Sequence, residues 1–309
     1  MSLPYRFNRL CALLMSVICV AAVAAAQDQA APTPKIVTAK IKVDDLSMII
    51  VPVSINGTGP YAFLLDTGCA SSIMDQKLAE QLALPQLGIR KIIGVLGATP
   101  VSVVRADSFS VAGATASDLK ISVTSNRMAV SKVRGVLGQD FLQHFDVLIN
   151  YRNLTLELAP TSGSLAESLI GEHLPLRVDP ANPALSAPNR LIIAGHVPEL
   201  GKNEMTLLLD SGANQFTLFH QNLGPLANRS EKANTGNFGA WDNLDVASRK
   251  VRSIDLGAHS VPDVTVVTIA HPVNSDTDGL VPTSFFNSIF ISRRSGFVIL
   301  NPSFPKISR

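Results

Sequence analysis

Two short segments of the sequence each place an aspartate after an apolar run and before a glycine. They read FLLDTG over residues 63–68 and LLLDSG over residues 207–212. The apolar residues predict a buried strand, the glycine permits a tight turn, and the carboxyl group of Asp66 or Asp210 is left at its tip. The neighbouring hydroxyl, Thr67 or Ser211, can hold such a turn by hydrogen bonding.

Two carboxyl groups on facing turns have a defined chemistry. Like charges in contact cannot both ionise, so the pair shares one proton. The ionised member can take a proton from water while the protonated member polarises a carbonyl group, which is general acid and base catalysis without a covalent intermediate. This chemistry requires the two turns to meet, and the sequence must therefore position them symmetrically.

The chain repeats itself at a constant offset. The two aspartates are 210 − 66 = 144 residues apart, and the same offset relates three pairs of glycines. These pairs are Gly57 and Gly201, Gly113 and Gly257, and Gly135 and Gly279. Four matches in order, in similar apolar surroundings, indicate a duplicated domain.

The sequence resembles the retropepsin and pepsin group of aspartic proteases, and is most similar to bacterial secreted proteins with two retropepsin-like lobes on one chain. The resemblance covers residues 37–304 and is carried by the two aspartate motifs and by the segment GVLGQDFL at 135–142. It implies that Asp66 and Asp210 are the catalytic pair and that Thr67 and Ser211 interlock their loops. The supporting residues of these loops would be Gly68, Gly212, Val136, Leu137 and Gly138.

The sequence departs from the family pattern in three places. Cys69 stands where the family usually has Ala or Ser, and Pro282 stands where Gly138 stands in the first copy, so the second apolar-apolar-Gly segment is broken. The flap tyrosine of pepsins is also missing. The predicted flap stretches are 93–103, with Gly94 and Gly97, and 235–242, where Trp241 could form a subsite wall.

Short β-branched or apolar runs predict an all-β protein with two pseudo-twofold-related β-barrel lobes and short helices. The predicted strands are 47–55, 120–123, 147–149, 154–158, 191–197, 264–269 and 297–300. A short helix is expected after each aspartate motif. The clearer one has Asp75 as its N-cap and is stopped by Pro85.

The domain boundaries follow from these patterns. We expect a signal peptide at 1–26, a leader at 27–36, an N-terminal lobe at 37–158, a linker at 159–172 and a C-terminal lobe at 173–309. The signal peptide is indicated by Arg6 and Arg9, an apolar run and an Ala-rich end before Gln27. Export to the periplasm or the medium is therefore expected, with no membrane insertion after cleavage. An uncleaved anchor over 10–26 is the alternative.

Composition excludes several other functions. Removing the two arginines of the signal leaves 26 − 2 = 24 basic residues against 24 acidic ones, so nothing in the charge favours nucleic acid. The six histidines lack the spacing of a zinc helix, and neither a metal nor another cofactor is expected. Only Cys69 follows the signal, which excludes an internal disulfide.

The sequence therefore predicts an aspartic endopeptidase, acting as a monomer on peptide or protein substrates. One alternative is a peptide-binding β protein with the same fold and a disabled dyad. Another is that the first lobe pairs with its copy in a second chain, with the second lobe as a passenger. The separation of the Asp66 and Asp210 carboxyl groups distinguishes these readings, because hydrogen-bonding contact favours the peptidase.

Overall fold

A computed structural model describes residues 35–94, 97–125, 130–161, 164–177, 190–219, 231–238, 241–269 and 277–304. Most of these residues lie in β-strands, so the prediction of an all-β fold is confirmed. The predicted signal peptide and most of the predicted leader fall outside the described residues, and both stay predictions. In the part of the chain that is described, no helix has the length and apolar character needed to cross a bilayer.

The first sheet contains eight strands from the N-terminal half. They are β2 (Lys42–Val43), β3 (Ile49–Ile55), β4 (Thr58–Leu65), β5 (Ile73–Asp75), β6 (Gln86–Gly94), β7 (Gly97–Val111), β8 (Ala114–Thr124) and β9 (Gly135–Leu137). Their order in the sheet is β2-β3-β4-β9-β5-β8-β7-β6. Most neighbours are antiparallel, but β4 pairs with β9 in parallel, and β5 pairs with β8 in parallel.

The second sheet repeats this arrangement with strands from the C-terminal half. They are β13 (Ile192–Val197), β14 (Lys202–Asp210), β15 (Phe216–Phe219), β16 (Glu231–Phe238), β17 (Trp241–Leu256), β18 (His259–Ile269) and β19 (Gly279–Pro282). The order β13-β14-β19-β15-β18-β17-β16 matches that of the first sheet from β3 onward, strand for strand. The offset of 144 residues is therefore a repeat of topology as well as of motifs.

A third sheet combines strands from both halves. It contains β1 (Val37–Lys40), β10 (Phe145–Asn150), β11 (Thr155–Pro160), β12 (Leu174–Pro175), β20 (Ser288–Ser292) and β21 (Phe297–Leu300). At its centre β10 pairs with β20, and Val147 lies opposite Ile291, its own equivalent, since 291 − 147 = 144. A pseudo-twofold axis thus passes through this pair of strands.

The segment predicted as a linker is more structured than the sequence indicated. Ala159 and Pro160 complete β11, and helix α3 (Ser164–Glu167) follows after two residues that are not described. Ile170 then forms a β-bridge with Ser303.

The predicted helix after the first aspartate motif is present as α1 (Gln76–Gln81). The Asp75 side chain accepts a hydrogen bond from Leu78 N at 2.8 Å, which is the expected N-cap. The helix ends at Leu82, ahead of Pro85, and Ala83 adopts a left-handed conformation. The equivalent positions after the second motif, 220–225, lie outside the described residues.

The predicted strands lie on observed ones, but several bounds differ: 120–123 and 264–269 are parts of longer strands, whereas 47–55 and 191–197 extend beyond β3 and β13. The run at 120–123 is the end of the eleven-residue strand β8, and Leu154 lies in a left-handed turn just before β11. Polar residues interrupt the apolar pattern along the long hairpin strands, because only one face of each strand packs against the core. Apolar runs in the sequence therefore mark only part of these strands.

The core beneath the first aspartate loop is aromatic. Phe63 packs edge-on against Phe109 at a ring separation of 5.5 Å, and Phe109 contacts Phe141 at 5.9 Å. Phe141 belongs to helix α2 (Gln139–Leu142), which follows β9 directly. These rings fix α2 against the strands that carry Asp66.

Candidate active site

Each aspartate is placed by a pair of parallel strands. Asp66 follows β4, and its amide donates a hydrogen bond to Leu137 O at 3.0 Å, extending the pairing of β4 with β9. Asp210 is the last residue of β14 and lies opposite Pro282 in the pairing with β19. Val136 and Leu137 thus flank the first aspartate loop, as the resemblance implied.

Pro282 leaves the second loop in the same register, contrary to what its sequence suggested. In the first half, Gly138 N donates to Ser72 Oγ at 3.0 Å. The equivalent of Ser72 is residue 72 + 144 = 216, a buried phenylalanine. Proline has no N–H to donate and Phe216 has no oxygen to accept, so the paired replacement leaves no unsatisfied group.

Thr67 and Ser211 join the two loops through four reciprocal hydrogen bonds. Thr67 N donates to Ser211 Oγ at 3.0 Å, and Ser211 N donates to Thr67 Oγ1 at 2.9 Å. Each hydroxyl also donates across the pair, Thr67 Oγ1 to Leu209 O at 2.9 Å and Ser211 Oγ to Leu65 O at 2.8 Å. Both side chains are buried, so these bonds are shielded from water.

The interlocked loops bring the two carboxyl groups together within one chain. A methyl group added at Gly68 would lie 2.5 Å from Asp210 Cγ, and one added at Gly212 would lie 2.6 Å from Asp66 Oδ2. Each glycine therefore makes room for the carboxyl group of the other loop. No second copy of the chain is needed to complete the pair.

Burial raises the pKa of both aspartates, and proximity to Asp66 raises that of Asp210 further. Burial is the largest cause for Asp66, opposed by hydrogen bonds from Asp210 and from two backbone amides. For Asp210, burial and then the negative charge of Asp66 raise the pKa well above that of an ordinary carboxyl group.

The two aspartates are unequal. Asp66 Oδ1 accepts from Gly68 N and from Cys69 N, both at 2.9 Å, and Asp210 Oδ1 accepts from Gly212 N at 2.7 Å. The charge of Asp66 raises the pKa of Asp210, whereas the hydrogen bond from Asp210 lowers the pKa of Asp66. Asp66 is therefore the better anion, and Asp210 retains the shared proton.

This arrangement makes the stability of the protein depend on pH. A carboxyl group whose pKa is raised by folding stabilises the folded state below its unfolded pKa, and this stability is lost as pH rises through the folded pKa. We therefore expect Asp210→Asn to raise the unfolding temperature near neutral pH by roughly 2–4 °C, the shift produced by about 1 kcal/mol. The difference from wild type should vanish below about pH 4 in thermal unfolding scans. A variant that is less stable than wild type at every pH would contradict this.

Cys69 lies beside the dyad but is not suited to be a nucleophile. Burial, followed by the charge of Asp66, raises the pKa of its thiol far above the ordinary value, so the thiolate is not formed near neutral pH. Its Sγ donates to Ser71 O at 3.0 Å.

We expect Cys69→Ser to keep at least about half of the wild-type activity in a peptide-cleavage assay, because the main contribution of Cys69 to the site is its backbone N–H. A folded but inactive variant would assign the thiol a direct role.

The predicted flap residues lie at the ends of two equivalent hairpins. Gly94 pairs with Gly97 where β6 meets β7, and Phe238 pairs with Trp241 where β16 meets β17. The offset relates both members, since 238 − 94 = 144 and 241 − 97 = 144. The side chain of Trp241 is not among the described parts of the chain, so its role as a subsite wall stays a prediction.

Within the described ranges, no group of three or more histidine, cysteine or acidic side chains is arranged to hold a metal ion. The carboxyl groups of Asp66 and Asp210 instead have each other and backbone amides as neighbours.

Comparison with known proteins bears on the first half of the chain. The sequence profile of a family described as "Aspartyl protease" matches residues 51–141. The resemblance to aspartyl proteases is thereby confirmed. The matched range includes Asp66, the interlocking Thr67 and the segment of Val136, Leu137 and Gly138.

Two further comparisons add little to this assignment. A crystal structure of a retropepsin-like aspartic protease from Rickettsia conorii is 15% identical and aligns with 41% of this chain and 96% of its own, with a TM-score of 0.33. No curated protein matches the chain.

The sequence reasoning missed several residues that surround the dyad. Gln139 donates through Nε2 to Thr67 O at 2.7 Å, and the Asp140 carboxylate accepts from Ser72 Oγ at 2.6 Å. Tyr151 and Thr283 form a hydrogen bond near Asp210. Gln139 and Asp140 lie in the segment 135–142 that carries the resemblance, and the offset makes Thr283 the equivalent of Gln139.

Proposed function

We propose that the protein is an aspartic endopeptidase that hydrolyses peptide bonds with water activated between Asp66 and Asp210. The observation that carries the proposal is the approach of these two carboxyl groups across the reciprocal hydrogen bonds of Thr67 and Ser211. The pKa of Asp210 is raised further than that of Asp66, which provides an acid and a base at the same place. The family match over residues 51–141 supports a protease of this type.

The proposed reaction follows from the protonation states. Water attacks the carbonyl carbon of the substrate, giving one proton to ionised Asp66, while Asp210 transfers its proton to the carbonyl oxygen. The resulting neutral diol collapses as Asp66 donates its proton to the departing nitrogen and the C–N bond breaks. Asp210 recovers a proton from a diol hydroxyl group, and the pair returns to its starting state.

An extended peptide is the substrate class that suits the surrounding fold. The hairpins that end at Gly94–Gly97 and Phe238–Trp241 have β6 and β16 as edge strands, whose unpaired backbone groups can bind an extended chain. Such backbone pairing recognises the middle of a peptide as well as its ends, which is why cleavage of internal bonds is proposed.

The proposal includes the setting in which the enzyme acts. The N-terminal sequence supports export to the periplasm or the medium after removal of residues 1–26. A dyad formed within one chain supports a monomer, and a reaction that uses only carboxyl groups and water requires no cofactor.

A second candidate is a peptide-binding protein with an inactive dyad. The observation in its favour is that the family match over residues 51–141 does not include the second half, where Pro282 replaces the glycine of the apolar-apolar-Gly segment. Binding through the hairpins would survive in such a protein while hydrolysis would not.

The proposed function is tested by incubating purified protein with a mixed peptide library between pH 3 and pH 8 and identifying products by mass spectrometry. Endopeptidase activity predicts new termini inside the peptides, blocked by a statine-type inhibitor that mimics the diol. Peptides that are bound but never cleaved would support the second candidate. Loss of terminal residues alone would show an exopeptidase.

A further inference from the structure

Two equivalent residues stand directly behind the catalytic loops. Gln139 follows Gly138, and Thr283 follows Pro282, with 283 − 139 = 144. Both are buried. The first supports its own loop directly, because Gln139 Nε2 donates to Thr67 O.

Each of these residues is held by a side chain from the opposite half of the chain. Arg293 Nη2 donates to Gln139 Oε1, and the Tyr151 hydroxyl hydrogen bonds to Thr283 Oγ1. Tyr151 directly follows β10, and Arg293 directly follows β20. Because β10 and β20 pair about the pseudo-twofold axis, the shared sheet places one supporting side chain behind each loop.

The two halves differ in how much other polar support the loop has. In the first half, the carboxylate of Asp140 accepts from both the amide and the hydroxyl of Ser72, and that hydroxyl accepts from Gly138 N. The equivalents of these three residues in the second half are Ser284, Phe216 and Pro282, which cannot reproduce this network. The hydrogen bond between Tyr151 and Thr283 therefore provides a larger share of the polar support of the second loop.

The charge of the dyad also affects the protonation of Tyr151. Its hydroxyl is largely surrounded by protein, and burial together with the charge of Asp210 raises the pKa of Tyr151, so the hydroxyl stays protonated. Its backbone is fixed as well, since Tyr151 N donates to Asn287 O at 2.9 Å. A neutral phenol on a fixed backbone can hold Thr283 in one position.

We propose that Tyr151 is a positioning residue for Asp210, acting through Thr283 on the segment that pairs with the second aspartate strand. The inference rests on the proposed function, because it assigns Asp210 to the dyad. Tyr151 does not itself contact the reacting atoms. It fixes the backbone of Pro282 and Thr283, against which Asp210 is aligned.

The test compares Tyr151→Phe, Thr283→Val, the double variant and Thr283→Ser in the full chain. We expect each of the first two to lower kcat by about tenfold with KM within about twofold. The reason is that a less firmly held Asp210 is misaligned in the transition state, whereas binding of the peptide does not depend on its alignment. The double variant should be no worse than either single one, since both remove the same bond. Thr283→Ser keeps the hydroxyl and should retain wild-type kcat.

Tyr61→Phe is the matched control. The Tyr61 hydroxyl donates to Thr58 Oγ1 at 3.3 Å in an exposed hairpin, so its loss should leave kcat unchanged. Multiplicative effects in the double variant, or a Thr283→Ser variant as slow as Thr283→Val, would overturn the proposal.

A readout that does not require activity separates this proposal from the proposed function. Amide hydrogen exchange of the segment 207–213 should become about tenfold faster in Tyr151→Phe and in Thr283→Val, while exchange of 63–69 should not change. If wild type cleaves no peptide, the proposed function fails and the exchange result alone decides the positioning role. Unchanged exchange at 207–213 in both variants would refute that role.

Discussion

Asp66→Asn and Asp210→Asn are each expected to lower kcat/KM for peptide hydrolysis by about 10³-fold or more, the range set by general acid and base catalysis. Either change removes the state in which the pair holds one proton, because asparagine can neither take a proton from water nor give one to the carbonyl oxygen. The rate is measured with a peptide that contains one cleavage site, at the optimal pH of the wild type.

The double variant should be about as slow as either single variant, because both aspartates act in the same step. Asp107→Asn is the control for loss of a carboxylate, since Asp107 is exposed and forms a surface ion pair with Arg105 at 3.4 Å. An Asp210→Asn variant as active as wild type would place the second carboxyl group of the dyad on another residue.

Gly68→Ala is expected to lower kcat/KM by about 10²-fold or more, the cost of moving a catalytic group by roughly 1 Å. The added methyl group would lie 2.5 Å from Asp210 Cγ, and carbon atoms cannot approach so closely, so the two carboxyl groups must move apart. Gly212→Ala should have a similar effect through Asp66, because its methyl group would lie 2.7 Å from Asp66 Cγ.

Gly57→Ala separates this steric effect from a general loss of stability. Gly57 has a positive φ of 76° and open space around it, so alanine there strains the backbone without touching the dyad. We expect a stability loss of about 1 kcal/mol in denaturant unfolding, with kcat/KM unchanged. Equal losses of activity at Gly57 and Gly68 would contradict the close approach of the carboxyl groups.

The duplicated architecture could be predicted because the repeated residues have strong local conformational preferences. The aspartate motifs and the paired glycines specify tight turns, and such turns recur wherever the same topology does. The N-cap at Asp75 was predictable for the same reason, since capping depends on residues that are close in sequence. The proximity of Asp66 and Asp210 followed once the repeat was recognised.

The support behind the loops could not be predicted, because it depends on contacts between residues far apart in sequence. Tyr151 and Thr283 are 132 residues apart, and Gln139 and Arg293 are 154 residues apart. Gln139 lies in the segment 135–142 that carries the resemblance, but nothing in the local sequence of Tyr151, Thr283 or Arg293 distinguishes them from surface polar residues. The joint replacement by Phe216 and Pro282 could not be predicted for the same reason. Pro282 alone suggests a broken loop, and only the hydrogen bond between Gly138 and Ser72 in the first half shows that both of its partners are replaced in the second half.

The central claim, that Asp66 and Asp210 work as a pair sharing one proton, is tested most directly by the pH dependence of kcat/KM for peptide cleavage. We predict a bell-shaped profile whose alkaline limb lies above the range of an ordinary carboxyl group, because burial and the charge of Asp66 raise the pKa of Asp210. Activity falls on the alkaline side as the pair loses its proton and on the acid side as both members become protonated, so both limbs belong to the pair. A rate that rises with pH to a plateau above neutrality, with no alkaline limb, would show that no shared proton takes part and would contradict the account.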